Sequence, residues 1–181
     1  MIDIVFNAID KFYKKNDYSA FKICCSKQIQ LFDKIREYID KQEFKLEEIQ
    51  DYPDNPSKIW YIHFDDYKKG EFEISYETKL HISKVASLFY IQHEYSVKNM
   101  DEDRMSPVLR DADNQAYTKK QFALHEKISS VLIKNGYYEI GYADMHETVE
   151  GFKMPGGVTI FGPNVTVEHL LFMDLFNICD K

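Results

Sequence analysis

The sequence predicts a single α+β domain spanning residues 1–181, with two N-terminal helices, a central antiparallel sheet and two further helices packed on one face. Three observations carry this expectation. Apolar residues recur at helical spacing before residue 45, then at strand spacing between residues 59 and 97. A capped helical pattern and an apolar closing segment follow. The links between the strand-like segments are too short for crossover helices, so neighbouring strands run antiparallel.

Ile2, Val5, Phe6, Ile9, Phe12 and Tyr13 place one apolar stripe on a first helix. Asn16-Asp17 ends it, and Asp17 or Ser19 caps the next. The spacing of Phe21, Cys24, Cys25, Leu31, Phe32, Ile35, Tyr38 and Ile39 predicts one long second helix. Pro53 and Pro56 then end helical structure, because each forces its predecessor toward extended geometry. Ile59 to Phe64 is apolar on both faces and predicts a central strand. Phe72, Ile74 and Tyr76 alternate with Glu71, Glu73, Ser75 and Glu77, which predicts a half-buried partner with those three side chains in the core. Another extended stretch runs from Leu80 to Val97, with Phe89, Ile91, His93, Tyr95 and Val97 on one face.

Residues 98–116 predict a long acidic loop. Thr118 and Gln121 form a capping box for a helix whose stripe is read as Phe122, His125, Ile128, Val131 and Leu132, and Asn135-Gly136 supplies a left-handed stop. Tyr138, Ile140 and Tyr142 predict one more strand. Gly- and Pro-rich turns bracket a short strand at Val158–Phe161, and Thr166 caps a closing helix from Val167 to Cys179. Phe6, Phe21, Phe32, Phe122 and Leu132 are expected to face the sheet.

Composition narrows the function. The net charge is −7, and Arg occurs only at Arg36, Arg104 and Arg110, with no basic stripe. Such a chain is not expected to bind nucleic acid, since phosphate neutralisation dominates that affinity. No stretch has the length of a membrane span and no leader-like segment opens the chain, so a cytoplasmic location is expected. Cys24, Cys25 and Cys179 are expected to be free thiols, being odd in number and not spaced as a disulfide framework.

Four of the six histidines adjoin a glutamate: His93-Glu94, His125-Glu126, His146-Glu147 and Glu168-His169. Imidazole and carboxylate are the groups of hydrolytic metal sites and acid–base pairs. No pair has the second histidine of a zincin helix one turn on, and the glycine pairs lack a phosphate-loop lysine. No cofactor or metal is therefore expected. His93 and His125 converge if their elements pack together. Asp144, Met145, His146, Glu147 and Glu150 form the densest polar cluster, in which Asp144 can orient His146. A metal-assisted hydrolase using these groups is the alternative to a binding function.

A small, acidic chain with 13 Tyr and 13 Phe and no catalytic signature resembles the immunity proteins encoded beside bacterial toxins. The resemblance is of general character and spans the whole chain. It implies a specific and basic protein partner, such as a toxic nuclease, bound by occlusion. The residues expected at that contact are Asp101, Glu102, Asp103, Asp111, Asp113 and Tyr117 from the acidic segment, with Tyr142, Asp144, His146, Glu147 and Glu150 from the later turn. Acidic rims steer basic partners, and aromatic anchors supply binding energy.

Overall fold

The computed structural model describes residues 3–15, 17–99, 109–152 and 164–173. It is an α+β fold built on one seven-stranded sheet. The helices are α1 (Asp3–Ile9), continued by a π-helical turn (Asp10–Lys14), α2 (Tyr18–Cys25), α3 (Asp33–Lys41), α4 (Lys119–Lys134), α5 (Tyr142–Met145) and α6 (Val167–Leu171). The strands are β1 (Lys45–Glu48), β2 (Ser57–His63), β3 (Tyr67–Lys69), β4 (Phe72–Ser83), β5 (Leu88–Asn99), β6 (Leu109–Asp113) and β7 (Tyr138–Glu139). Their order is β1-β2-β4-β5-β6.

Two twelve-residue strands, β4 and β5, form the middle, each paired along almost its whole length with the other. On one flank β4 takes β2 and β3 in tandem; on the other β5 takes β6 and, in parallel, the short β7. Because side chains alternate across a sheet, the register fixes two faces. Trp60, Ile62, Thr78, Leu80, Ile82, Phe89, Ile91 and His93 share one face, which α3 and α4 cover with Ile35, Ile39, Leu124, Ile128, Val131 and Leu132.

The opposite face is divided. At one end Leu88 and Tyr90 meet a second core made by α1, α2 and α6, with Phe12, Phe21, Cys25, Val167, Leu170 and Phe172. Three carbonyls at and just beyond the end of α6 accept hydroxyl protons. Tyr13 Oη donates to Leu170 O at 2.5 Å, Ser83 Oγ to Leu171 O at 2.8 Å and Ser57 Oγ to Phe172 O at 2.8 Å. The rest of that face carries Tyr61, His63, Glu77, Lys79, Gln92 and Glu94 and has no layer over it among the described residues.

Several expectations are corrected. The predicted second helix is two helices, α2 and α3, because its halves serve different cores: Phe21 and Cys25 one, Leu31, Ile35 and Ile39 the other. A straight rod cannot reach both sides of a sheet. The extended stretch from Leu80 is likewise split, at Lys84–Ser87, between β4 and β5. Lys84 sits buried in that turn, donating to Asp51 Oδ1 at 2.5 Å and to Cys25 O at 2.9 Å. Within the expected acidic loop, Leu109–Asp113 is a strand.

Phe72 is exposed, while Ile74 and Tyr76 are only half-buried, since α4 ends before their part of the sheet. Phe6 and Phe122 point to solvent, each just off a stripe that the rest of its helix buries: Val5, Ala8 and Ile9 in α1, and Gln121, Leu124, Ile128 and Leu132 in α4. Phe32 is half-buried against the sheet core and Leu132 is buried in it as expected, whereas Phe21 is buried in the other core, because α2 packs with α1 and α6. The strand expected over 138–142 is only two residues long before α5 begins. Cys24 is a free thiol and Cys25 is buried, while Cys179 lies outside the described residues, as do the Val158–Phe161 strand and most of the expected closing helix.

Candidate functional site

Two histidine–carboxylate arrangements occupy opposite faces of the sheet. On the covered face, β5 aims His93 at α4, and the α4 stripe aims His125 back. The predicted convergence is real: His93 Nε2 and His125 Nδ1 are 2.9 Å apart. The chain of hydrogen bonds extends both ways. Thr78 Oγ1 lies 2.9 Å from His93 Nδ1, and His125 Nε2 lies 2.7 Å from Glu139 Oε1. Ser129 Oγ donates to Glu139 Oε2 at 2.6 Å.

The ends set the direction. An ionised Glu139 only accepts, so His125 Nε2 donates and its Nδ1 accepts from His93 Nε2, leaving His93 Nδ1 to accept from Thr78. Every polar atom is satisfied with both imidazoles neutral. Burial, then the neighbouring His125, pushes the fully buried His93 down to about 4. Burial alone would raise Glu139, but hydrogen bonds from His125 and Ser129 outweigh it and hold the carboxyl below its usual range. The Ser129 hydroxyl is committed to Glu139 and buried, so it is not placed as a nucleophile. The hydrogen-bonded chain fixes α4 to the sheet.

On the open face the cross-strand register places Lys45, His63, Glu77, Glu94 and Ala112 in one row across β1, β2, β4, β5 and β6. His63 bridges two carboxylates, with Nδ1 at 2.7 Å from Glu77 and Nε2 at 3.1 Å from Glu47. Glu77 and Glu94 stand directly opposite each other, a like-charge pair that costs stability. Burial lifts the Glu77 carboxyl above its usual range; His63 opposes this, and Glu94 and Glu47 add to it. A depression lined by Ser75, Glu77, Glu94, Ser96 and Arg110 lies beside the pair.

Two tyrosines report how far this field reaches. Tyr61 is raised by burial and then by Glu77, Glu94 and Glu47. Tyr90 is raised to about 12 by burial and then by Glu168, Tyr142, Asp113 and Glu94. Glu94 acts on both tyrosines.

The residues expected at a contact fall into three groups. Asp111 and Asp113 lie on β6, all of whose residues are exposed. Tyr117 packs edge-to-face on Tyr95 at 4.7 Å. Tyr142 is joined to the β6 end by its backbone N–H, which donates to Asn114 Oδ1 at 2.5 Å, so part of the two predicted segments is contiguous. His146 stacks on Tyr142 at 4.0 Å and stands 3.9 Å from Glu168. Asp144 does not orient His146, because the short α5 turns its carboxylate back to accept from Gly141 N–H at 2.9 Å. Glu147 is half-buried and Glu150 exposed. Asp101, Glu102 and Asp103 lie outside the described residues.

Sequence reasoning missed Glu47, His63, Glu77 and Glu94 as one group. Their signal was the polar half of each alternating strand. Among the described residues, no group of three or more His, Cys, Asp or Glu is disposed to hold a metal ion, and no helix is long and apolar enough to cross a membrane. No family model, curated protein or solved structure matches the chain.

Proposed function

We propose that this chain is a protein-binding protein of the immunity or inhibitor kind, which occludes a basic partner such as a bacterial toxin enzyme through the acidic open face of its sheet. The observation that carries the reading is the opposed pair Glu77 and Glu94, with Glu47 on the same face beside His63. Like charges in direct register cost stability in the free protein. A lysine or arginine arriving from a partner relieves that repulsion, so the arrangement favours the bound state. Tyr61, half-buried, and Tyr142, exposed, offer amphipathic contact area on this side of the sheet. The net charge of −7 supports steering of a positive partner over a distance set by salt.

The test is the complex itself. The product of the reading frame beside this gene, purified and mixed with the chain, is expected to bind with an association rate that falls as salt rises. Changing Glu77 and Glu94 together to Gln is expected to slow association more than it speeds dissociation. An association rate insensitive to both salt and the double change overturns the reading.

A further inference from the structure

Strand β6 ends the sheet, and its outer edge has no neighbour among the described residues; Leu109, Arg110, Asp111, Ala112 and Asp113 are all exposed. An open edge offers unpaired N–H and C=O groups to any extended chain. Which groups these are follows from the neighbouring ladder. Gln121 Nε2 donates to the carbonyls of both Glu77 and Glu94, the directly opposed residues of β4 and β5. Phe64 N–H donates to Tyr76 O on the β2 side of β4, so the next residue, Glu77, turns its backbone groups toward β5 and meets those of Glu94. Tyr95 then turns its own to β6 and pairs with Asp111, leaving Arg110 and Ala112 facing outward. Consistent with this, the Ala112 N–H is held by the Asp111 carboxylate at 3.0 Å and not by β5.

Side chains select what the edge accepts. Leu109, Asp111 and Asp113 alternate on one face, with Asp111 beside the Tyr117 hydroxyl and Asp113 accepting from Gln115 N–H at 2.9 Å. A second copy of β6 paired antiparallel about Asp111 sets carboxylate against carboxylate, so the edge repels its own kind.

We infer that β6 is a docking edge for an extended basic segment of the partner, added as a further strand. In an antiparallel arrangement the incoming segment reads basic, any, basic, any, apolar, opposite Asp113, Asp111 and Leu109. The basic residue facing Asp111 draws its carboxylate away, and the Ala112 N–H then donates to the incoming strand. This deepens the binding reading above and rests on it, with the edge rather than the open face supplying backbone contacts.

The experiment measures binding of a short fluorescent peptide with Lys at two alternate positions and Val at the next alternate one, to the full chain by anisotropy. The comparison peptide has the same residues with both Lys adjacent. The first is expected to bind more tightly. Ala112→Pro removes one outward N–H, at a position where an edge strand accepts proline, and is expected to weaken binding about tenfold. Asp111→Asn combined with Asp113→Asn keeps the backbone edge and is expected to weaken it about fivefold. Equal binding of the two peptides overturns the inference, as does absence of binding or a folded Ala112→Pro chain that binds normally. If the partner complex loses affinity on changing Glu77 and Glu94 but not on Ala112→Pro, the edge is wrong and the acidic face stands. If the complex never forms yet the peptide binds in register, the proposed function fails while the edge remains.

Discussion

The two faces of one sheet use the same residue types for opposite ends. On the covered face, His93, His125 and Glu139 are drawn out of water, each ring atom has a partner, and the result is a helix held in register. On the open face, His63, Glu47 and Glu77 make bonds of similar length, yet a third carboxylate, Glu94, stands against Glu77. The first set is complete within the fold. The second leaves two like charges facing each other. Histidine–glutamate proximity is thus uninformative by itself; what separates the helix anchor from the repelling pair is whether the groups close on each other.

Changes to each face should separate these roles. Trp60 is fully buried on the covered face, and Trp60→Ala is expected to cost about 3–5 kcal/mol in urea unfolding. A loss comparable to that of a surface change would break the comparison at its root.

Acid should act through the buried histidines of both faces. The unfolded chain protonates His93 near its ordinary value of 6.5, whereas the folded chain resists until about 4. Stability from this group is therefore full above 6.5 and declines as pH falls toward 4. At about 1.4 kcal/mol per unit the decline reaches about 3 kcal/mol. His81, buried between Tyr90 and Phe172 and lowered to about 3 by burial and then Lys79, adds to it in the same sense. Glu139, held below its usual range, extends the decline at still lower pH. Unfolding midpoints measured across this range, with His93→Gln as the comparison, are expected to show a shallower slope in the variant. Parallel slopes would remove His93 from the account.

The open face should respond in the other direction. Glu94→Gln removes the opposed charge and is expected to raise stability by up to about 1 kcal/mol while slowing partner association. A clear destabilisation would mean Glu94 is structural. Least of all, Phe122→Ala is expected to change stability by no more than about 0.5 kcal/mol, because that ring is 60% exposed.

What the sequence made legible was periodicity. Strands β2 and β4, the capping box at Thr118 and the left-handed Gly136 all follow from local pattern. So did the facing of His93 and His125, since each sits on the apolar face of its own element. The carboxylate partner did not follow. Period two puts Glu94 on the opposite face from His93, and Glu126 is exposed; the partner is Glu139, on a strand fixed only by tertiary pairing. The α2–α3 break and the Lys84–Ser87 turn carry no glycine or proline, so no local signal announced them. The acidic row Glu47, His63, Glu77 and Glu94 needed the register of three strand pairs, which no window of sequence contains.

The placement of the two cores also orders their assembly. Every buried side chain of the sheet core lies between Leu31 and Leu132, while the other core joins Val5–Cys25 to Val165–Phe172. A ribosome releases the N-terminal end first. Helices α1 and α2 therefore emerge long before α6, and Tyr13 waits for a carbonyl 157 positions away. The sheet and its two helices have all their parts while the tail is still being made. The first-made helices gain their α6 contacts only once the last-made described segment exists.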